Sequence, residues 1–339
     1  MRDSNRTVRW GILGTARIAE KICVAINQAE NAEVTCIASR DSAKAAAWAK
    51  QHHVKRSVGS YEALLHDPEI DAVYIPLPPS LHGEWTVRAA KAGKHVLCEK
   101  PLALNVNQAR EMRRVCLEQQ VQLMDGVMWY HHPRTKKILE LIRSDVLGEH
   151  RRLTSAFTFC WDKVPENDLR LQRNLGGGSL GDLGWYCIGV ALWAFNELPQ
   201  KVFGTARPLN DVDYNFSGIM WFSKDRIASF DCGFDISMRK WFELAGTKGS
   251  LVCDDFTRPW ENTRPQFHIT DSQGNSTKYE TENPLQETCM INHFCKIIRS
   301  GHLEQQWPDL GINTQRVLNA LDYSARTETV VNLADFFPK

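Results

Sequence analysis

The sequence predicts an α/β protein that begins with a doubly wound parallel sheet and continues as an α+β part. That second part is built on a large, open-faced, mostly antiparallel sheet. Three observations predict this. Short apolar runs alternate with helical patterns as far as Gly126, the alternation then stops, and period-2 runs at hairpin spacing follow. We therefore place one boundary there and expect domains at 1–126 and 127–339 in the 339-residue chain.

The first domain reads as strands joined by helices. The predicted strands cover 8–14, 32–40, 71–78, 95–100 and 121–126. The predicted helices cover about 18–29, 41–53, 60–70, 80–94 and 105–120. Asp41 and Ser42 are good N-terminal caps, Pro68 should stop the third helix, and Gly93 is a usual C-terminal signal. Because parallel strands need crossover connections, this alternation predicts a mostly parallel sheet covered on both faces.

The second domain reads as antiparallel strands. Residues 152–161 place Leu153, Phe157, Phe159 and Trp161 at odd positions, which is the period of a strand. Further strands cover 217–223, 226–234, 240–246 and 249–254, and they are joined by short turns. We expect one sheet face to pack on a helix over 179–195. The other face would be open in a single chain and covered in a dimer or higher oligomer. A last helix at about 313–327 is expected to pack across both domains.

The bulk composition excludes several classes of function. Lys and Arg number 41 against 40 Asp and Glu, so we expect no nucleic-acid or membrane-surface partner. We read no 18-residue apolar run and no signal peptide. The ten cysteines are spread singly, which indicates a reducing cytoplasm and no disulfide framework. Only Cys289, His293 and Cys295 are spaced in a metal-like way, and one helix face explains them as well, so we expect no metal.

The stretch "GILGTARIA" is a loosened dinucleotide-binding fingerprint between the first predicted strand and helix. Gly11 is expected to permit the tight turn, and Gly14 to let the backbone approach a pyrophosphate. The helix N-terminus at Ala16 and Arg17 would offer free N–H groups to it. This context predicts a Rossmann domain, and we assign six residues to cofactor binding: Gly11, Gly14, Thr15, Ala16, Arg17 and Ile18.

The end of the second strand indicates which dinucleotide is bound. An NAD site usually places an acid there for the ribose 2′-hydroxyl, whereas this chain has Ser39 and Arg40. An arginine pairs with a 2′-phosphate, and a serine can donate a hydrogen bond to it. We therefore favour NADP. Asp41 follows at once and keeps NAD open as the alternative.

"CEKPLA" places two opposite charges where another strand of the parallel sheet ends. Ligands of such sheets bind beyond the carboxyl ends of the strands. Leu77 and Pro78 lie at one such end, and Glu99 and Lys100 lie at the next. Lys100 would stand where the nicotinamide and its substrate meet, and Glu99 would pair with it or hold cofactor. The alternative is a surface ion pair before a helix.

A second polar patch, "GGGSLGDLGWYCIG", lies at the start of the 179–195 helix. Asp182 and Tyr186 are four residues apart and would share one helix face. An unperturbed tyrosine, with a pKa near ~10, is a poor base at neutral pH, but a nearby ammonium favours the phenolate. Lys100 and Tyr186 would thus form one acid–base unit. The alternatives are a half-buried tyrosine and an exposed acid without function.

Together, "GILGTARIA", "CEKPLA" and "GGGSLGDLGWYCIG" resemble the Gfo/Idh/MocA oxidoreductases over the whole chain. The tyrosine at the last position, where many members have histidine, resembles a particular branch. It contains dimeric dihydrodiol dehydrogenase, NADP-dependent D-xylose 1-dehydrogenase and glucose–fructose oxidoreductase. The resemblance implies that Lys100, Asp182 and Tyr186 form the catalytic set and that the open sheet face dimerises. His82 lies in a stretch similar to a family cofactor contact, and a helix-cap role is its alternative.

We therefore expect an NADP-dependent oxidoreductase that acts on a hydroxyl or carbonyl of a sugar, polyol or cyclic diol. Two alternatives stay open: a glycosidase-type member of the superfamily with tightly held NAD, and a non-catalytic NADP(H)-binding regulator. The polar stretch 160–173 is either a substrate lid that contains Arg170 or Arg173, or a surface loop.

Overall fold

A computed structural model describes residues 6–259 and 263–336. It divides into two compact units. The first unit comprises residues up to 131 together with 284–312, and the second comprises residues 132–283 together with those after 312. The segment 284–312 thus belongs to the first unit, whereas the sequence analysis placed it with the second.

The first unit contains a parallel six-stranded sheet in the order β3-β2-β1-β4-β5-β6, which confirms the predicted doubly wound sheet. Its strands are β1 (Val8–Leu13), β2 (Ala32–Ala38), β3 (Arg56–Val58), β4 (Ala72–Ile75), β5 (His95–Cys98) and β6 (Leu123–Asp125). Its helices are α1 (Arg17–Gln28), α2 (Ser42–Gln51), α3 (Tyr61–Leu65), α4 (Pro79–Lys91) and α5 (Val106–Glu118), followed by a 3₁₀ turn over Met128–His131.

Local chemistry sets several of these helix ends. The Asp41 carboxylate accepts hydrogen bonds from the N–H groups of Ala43 and Lys44 and so caps α2. Gly93, at φ +74°, follows α4 as predicted. The predicted helix at 60–70 is shorter in the structure: α3 ends at Leu65, before Pro68 can act as its stop.

An additional helix, α8 (Gln286–Ser300), completes the core of the first unit. Its residues Met290, Ile291 and Phe294 are fully buried, and the rings of Phe294 and Trp10 are 5.3 Å apart. Burial of this apolar helix face explains why a segment so late in the chain joins the first unit.

The second unit contains a nine-stranded sheet in the order β14-β13-β12-β11-β7-β10-β9-β8-β15, and only β7 and β10 pair in parallel among the pairs described. This confirms the mostly antiparallel sheet. The strands are β7 (His150–Cys160), β8 (Lys201–Leu209), β9 (Val212–Trp221), β10 (Ile227–Gly233), β11 (Asp235–Gly246), β12 (Gly249–Cys253), β13 (Gln266–Asp271), β14 (Ser276–Glu280) and β15 (Val331–Asn332). The helices are α6 (Pro133–Arg143), α7 (Trp185–Phe195), α9 (Gln306–Thr327), which begins in the first unit, and α10 (Leu333–Phe336).

The two faces of this sheet differ in composition. On one face, Leu153, Ala228 and Phe230 are buried, and Phe157 packs on Tyr186 at the start of α7, with 5.3 Å between their ring centroids. The opposite face carries polar and apolar side chains together, and Ile219 is exposed there. A shallow depression of about 290 Å³ on strands β7, β8, β9 and β10 is lined by Thr154, Phe203, Thr205, Ser217, Gly218, Ile219, Ser229, Phe230 and Asp231.

Over the two described ranges, none of the helices combines the length and the apolar character that crossing a bilayer requires.

Candidate active site

The loop between β1 and α1 has the form of a phosphate-binding turn. Gly14 has φ +105°, and a Cβ on it would lie 3.0 Å from Leu77 Cδ2, so the turn requires glycine. Helix α1 then begins at Arg17, and its N-cap residue, Ala16, offers no side-chain hydrogen bond to the first N–H groups. Those groups can therefore meet an anion at the helix N-terminus. Thr15, Ala16 and Ile18 are half-buried beside this turn, and Arg17 is exposed.

Gly11 has a different role from the predicted one. It lies inside β1, three residues before the turn, and its φ is not positive. A Cβ there would lie 2.5 Å from Leu64 Cδ2. Gly11 therefore makes room for Leu64 of α3 against the sheet, and the tight turn depends on Gly14.

Ser39, Arg40 and Asp41 lie at the end of β2, as predicted. The Ser39 side chain is buried, and its Oγ accepts a hydrogen bond from the Asp41 N–H at 3.2 Å. The Asp41 carboxylate is occupied by the cap of α2. Arg40 is exposed, and its positive charge opposes the effect of burial on the pKa of the Tyr61 hydroxyl. Burial nevertheless raises the pKa of Tyr61. The Arg40 guanidinium is therefore accessible at this strand end, whereas the Asp41 carboxylate is used to cap α2.

His82 does not present its ring to a ligand. The residue is fully buried, and its Nδ1 and Nε2 lie 2.9 and 2.7 Å from the carbonyl oxygens of Pro101 and Leu77. Burial, which outweighs these contacts, lowers the pKa of His82. His82 thus links the turn after β4 to the turn after β5 through these two carbonyl groups, in place of the expected direct contact with cofactor. Leu77 and Pro78 are themselves half-buried.

Glu99 and Lys100 follow β5 at the carboxyl edge of the sheet, and the Lys100–Pro101 peptide bond is cis. Glu99 is buried, and its Oε1 accepts a hydrogen bond from the Tyr74 hydroxyl at 2.6 Å. Its Oε2 accepts the backbone N–H of Lys100 at 3.3 Å. The carboxylate therefore shapes the turn from which the half-buried Lys100 side chain extends.

The glycine-rich stretch in the second unit begins a helix of mixed type. Leu180–Gly184 forms a π-helical turn, and α7 continues from Trp185. The sequence predicted a regular helix on which Asp182 and Tyr186 share a face, but the π turn changes the spacing on which that argument depended. Single π turns of this kind are frequent at functional sites.

Tyr186 is partly exposed, although most of the helix that contains it is buried. Within α7 only Tyr186 and Trp193 are not fully buried. Asp182, in the preceding turn, keeps 16% of its side chain exposed. The start of this helix thus carries the Asp182 carboxylate and, four residues later, the Tyr186 phenol, and both side chains are partly exposed to solvent.

The 160–173 stretch is anchored to this helix start. Arg170 Nε donates to Asp182 Oδ2 at 2.7 Å, and Arg170 NH1 donates to both oxygens of Asp168 at 3.3 Å. Arg173, in contrast, is exposed and donates to the Asp211 carbonyl oxygen at 3.1 Å. Of the two arginines that the sequence left open, Arg170 is the one beside Asp182.

Two residues that support these groups were not predicted from the sequence. Asp213 on β9 accepts hydrogen bonds from Ser179 Oγ at 2.8 Å and from the Leu180 N–H at 2.6 Å, so it caps the helix start from a neighbouring strand. Tyr74 orients Glu99 from inside β4. A tyrosine in a fully buried parallel strand is a signal that sequence reasoning can use, whereas nothing local marks Asp213.

Within residues 6–259 and 263–336, no group of three or more His, Cys, Asp or Glu side chains is arranged to hold a metal ion.

Comparison with known proteins identifies the family. Residues 8–127 match the model of an oxidoreductase family with an NAD-binding Rossmann fold, and residues 135–252 match the model of the GFO/IDH/MocA C-terminal domain. The chain is 32% identical to a D-xylose 1-dehydrogenase (NADP(+)) of Haloferax volcanii, with 96% of this chain and 99% of that protein covered. It is 32% identical to a trans-1,2-dihydrobenzene-1,2-diol dehydrogenase of Danio rerio, with 72% and 73% covered.

Solved structures identify the same family. A 3-ketoreductase from Actinomadura kijaniata in complex with NADP and TDP-benzene superposes with a TM-score of 0.88 at 29% identity, with 94% of this chain and 98% of that chain covered. Structures of the same ketoreductase with NADP also include one with a lysine replaced by alanine and one with a tyrosine replaced by phenylalanine. On the two matched domains and these full-length relatives, the chain belongs to the Gfo/Idh/MocA family of NAD(P)-dependent oxidoreductases.

Proposed function

We propose that the protein transfers a hydride between NADP and a hydroxyl or carbonyl carbon of a sugar, polyol or cyclic diol. The observation that carries the proposal is the helix start at 180–186, which leaves Asp182 and Tyr186 within reach of solvent beside an otherwise buried helix. The dehydrogenases and the ketoreductase named above support the substrate class, since their names describe such substrates.

In this proposal the cofactor, when bound, supplies the hydride chemistry, and the side chains manage the proton. Tyr186 exchanges the proton of the reacting oxygen. Lys100, a cation at a strand end, favours the deprotonated tyrosine and orients the oxygen, and Asp182 accepts a hydrogen bond from a substrate hydroxyl. The same residue types, a lysine and a tyrosine, were replaced in the studied forms of the ketoreductase.

The fit of NADP rests on the first unit. The Gly14 turn and the uncapped start of α1 suit a pyrophosphate. At the end of β2, Arg40 is exposed, whereas Asp41 is committed to capping α2 and is a poor partner for the ribose hydroxyls of NAD. The D-xylose dehydrogenase and the ketoreductase are both described with NADP.

The test is an assay of the purified chain with NADP⁺ or NADPH against aldoses, polyols, cyclic diols, their ketones and a nucleotide sugar. Reduced nicotinamide is followed by its absorbance. Tyr186→Phe should lower kcat by about 10²–10⁴-fold with cofactor affinity nearly intact, because a positioned acid–base group contributes that much. Lys100→Met should do similar damage. The double variant should be far less than multiplicatively worse, since residues that act on one step are non-additive.

Other outcomes identify the alternatives. Glycoside cleavage with NAD that stays bound on dilution would indicate the glycosidase-type function, and cofactor binding without turnover of any compound would indicate a regulator. Fully multiplicative losses, with Tyr186→Phe retaining the wild-type pH profile, would mean that a different group is the base.

We further propose a homodimer or higher homo-oligomer formed through the open face of the nine-stranded sheet, and a reducing cytoplasmic location. The mixed apolar and polar face around Ile219 supports the first proposal. The ten free thiols, eight of them buried, support the second.

A further inference from the structure

The turn that carries Arg170 is held on the glycine-rich stretch by the backbone. The N–H of Gly178 donates to the Arg170 carbonyl oxygen at 2.8 Å, and the N–H of Gly177 donates to the Gln172 carbonyl oxygen at 3.0 Å. A Cβ on Gly177 would lie 2.6 Å from the carbonyl oxygens of both Leu169 and Arg170. The glycines are therefore required so that this turn can lie directly against the start of the helix.

The Arg170 side chain lies between two carboxylates. Its Nε donates to Asp182 Oδ2 at 2.7 Å, and its NH1 donates to Asp168. Asp168 also caps the turn, since its Oδ1 accepts the Arg170 N–H at 2.9 Å. The Asp182 charge is the largest of the causes that raise the pKa of Arg170. Asp168 and the glycine-rich stretch thus hold the backbone of Arg170, and Asp168 also holds its side chain, independently of the contact with Asp182.

This ion pair differs from an ordinary surface pair. Exposed pairs contribute little because water screens them and both side chains are mobile. Here only 16% of the Asp182 side chain and 36% of the Arg170 side chain are exposed, and a third charged group braces the arginine. The pair is therefore suited to holding a carboxylate in one direction and in its ionised form.

We propose that Arg170 is a positioning residue for Asp182: it fixes the direction of the Asp182 carboxylate and keeps it ionised to accept a substrate hydroxyl. The inference rests on the proposed function, in which Asp182 contacts substrate. The proposal also explains the triple glycine, because these residues let the turn at Leu169–Leu171 lie directly against the start of the helix. In this proposal the turn is a fixed part of the substrate site.

The charged groups around this pair define how pH acts on it. Among the described residues of the second unit they include Asp168 on the same turn and Asp213, which caps the helix start two residues before Asp182 and whose pKa is raised by burial to about 6. Arg173 lies on the next turn and bonds a backbone carbonyl, so it serves as a matched control.

The first experiment compares Arg170→Gln, Arg170→Lys and Arg173→Gln with the wild type by kcat and KM as functions of pH. Arg170→Gln should lower kcat/KM by about 10–100-fold, the usual effect of losing a group that orients a functional side chain. The acid limb of its pH profile should move to higher pH, because a neighbouring cation favours the carboxylate. Arg170→Lys should restore the acid limb but only part of the rate, since it lacks the rigid fork. Arg173→Gln should match the wild type.

The second experiment needs no turnover. The ¹³C signal of the Asp182 carboxyl carbon, assigned by Asp182→Asn, is titrated in the wild type and in Arg170→Gln, and the midpoint should lie at higher pH in the variant. An unchanged midpoint, or a rate loss with an unmoved pH profile, would overturn the proposal. If Arg170→Gln does not fold, Asp168→Asn replaces it with the same, smaller, expected changes. An inactive wild type with a shifted Asp182 titration would contradict the proposed function and leave the positioning role standing.

Discussion

At the scale of the residue, Arg40 is the group that we propose sets the preference for NADP over NAD. The Asp41 carboxylate caps α2, whereas Ser39 Oγ accepts the Asp41 N–H and keeps its own O–H as a hydrogen-bond donor. The exposed guanidinium at this strand end is therefore the group that can distinguish a 2′-phosphate from a hydroxyl.

We predict that Arg40→Ala weakens NADP binding by about 10- to 100-fold, which corresponds to the roughly 1.5–3 kcal/mol of a hydrogen bond to a charged group, and leaves NAD binding nearly unchanged. Both affinities are measured by isothermal titration calorimetry. Lys44→Ala is the control, because Lys44 is an exposed cation on α2 that is not among the residues assigned to cofactor binding. An NADP-to-NAD affinity ratio equal to that of the wild type would show that a different group reads the phosphate.

At the scale of the element, the start of the Tyr186 helix is capped by a half-buried acid from a neighbouring strand. Asp213 receives the Ser179 hydroxyl and the Leu180 N–H, and burial raises its pKa from 3.8 to about 6, with the charge of Asp322 on α9 a smaller cause in the same direction. Because its folded pKa lies above the unfolded value, the folded state binds the proton more tightly between about pH 4 and 6. The Asp213 contribution to stability therefore falls as pH rises through that window, by about 3 kcal/mol in all.

We predict that Asp213→Asn, which removes the charge and keeps the shape, is at least as stable as the wild type at pH 7.5. Its advantage should shrink towards pH 4.5, where the wild-type carboxyl is protonated. The free energy of unfolding in urea is measured for both proteins at the two pH values, with Asp211→Asn, an exposed acid two residues away, as the control. An equal loss of stability at both pH values would indicate that only the hydrogen-bond geometry matters.

At the scale of the whole molecule, the open face of the nine-stranded sheet is the surface that association would cover. Ile219 on β9 is 37% exposed there and lines the shallow depression on strands β7, β8, β9 and β10. A sheet face that carries exposed apolar side chains among polar ones is typical of contacts between copies of a chain.

We predict that the wild type sediments at twice its chain mass of 38.6 kDa or more. Ile219→Glu should shift it toward the monomer, because a charge buried in such an interface lacks a partner. Sedimentation equilibrium provides the measurement. Val24→Glu is the control, since Val24 is an exposed apolar residue on α1, in the other unit. A monomeric wild type, or equal behaviour of the two variants, would refute this use of the sheet face.

The sequence by itself determined the parallel sheet, the later antiparallel sheet and the strand ends at which Gly14, Arg40 and Lys100 lie. These features follow from local hydrophobic periodicity and from the rule that parallel strands bring their carboxyl ends to one edge. The motifs around Gly14, Arg40 and Lys100 are visible in the sequence because each consists of residues that are neighbours in the chain.

Only the tertiary structure decided which polar groups support that chemistry. Arg170 and Asp182 are 12 residues apart, His82 and Pro101 are 19 apart, and Asp213 and Leu180 are 33 apart. It also placed α8 in the core of the first unit and Gly11 in a packed strand. Such contacts depend on side-chain direction and on how close two elements approach. These are properties of packing that hydrophobic periodicity does not encode.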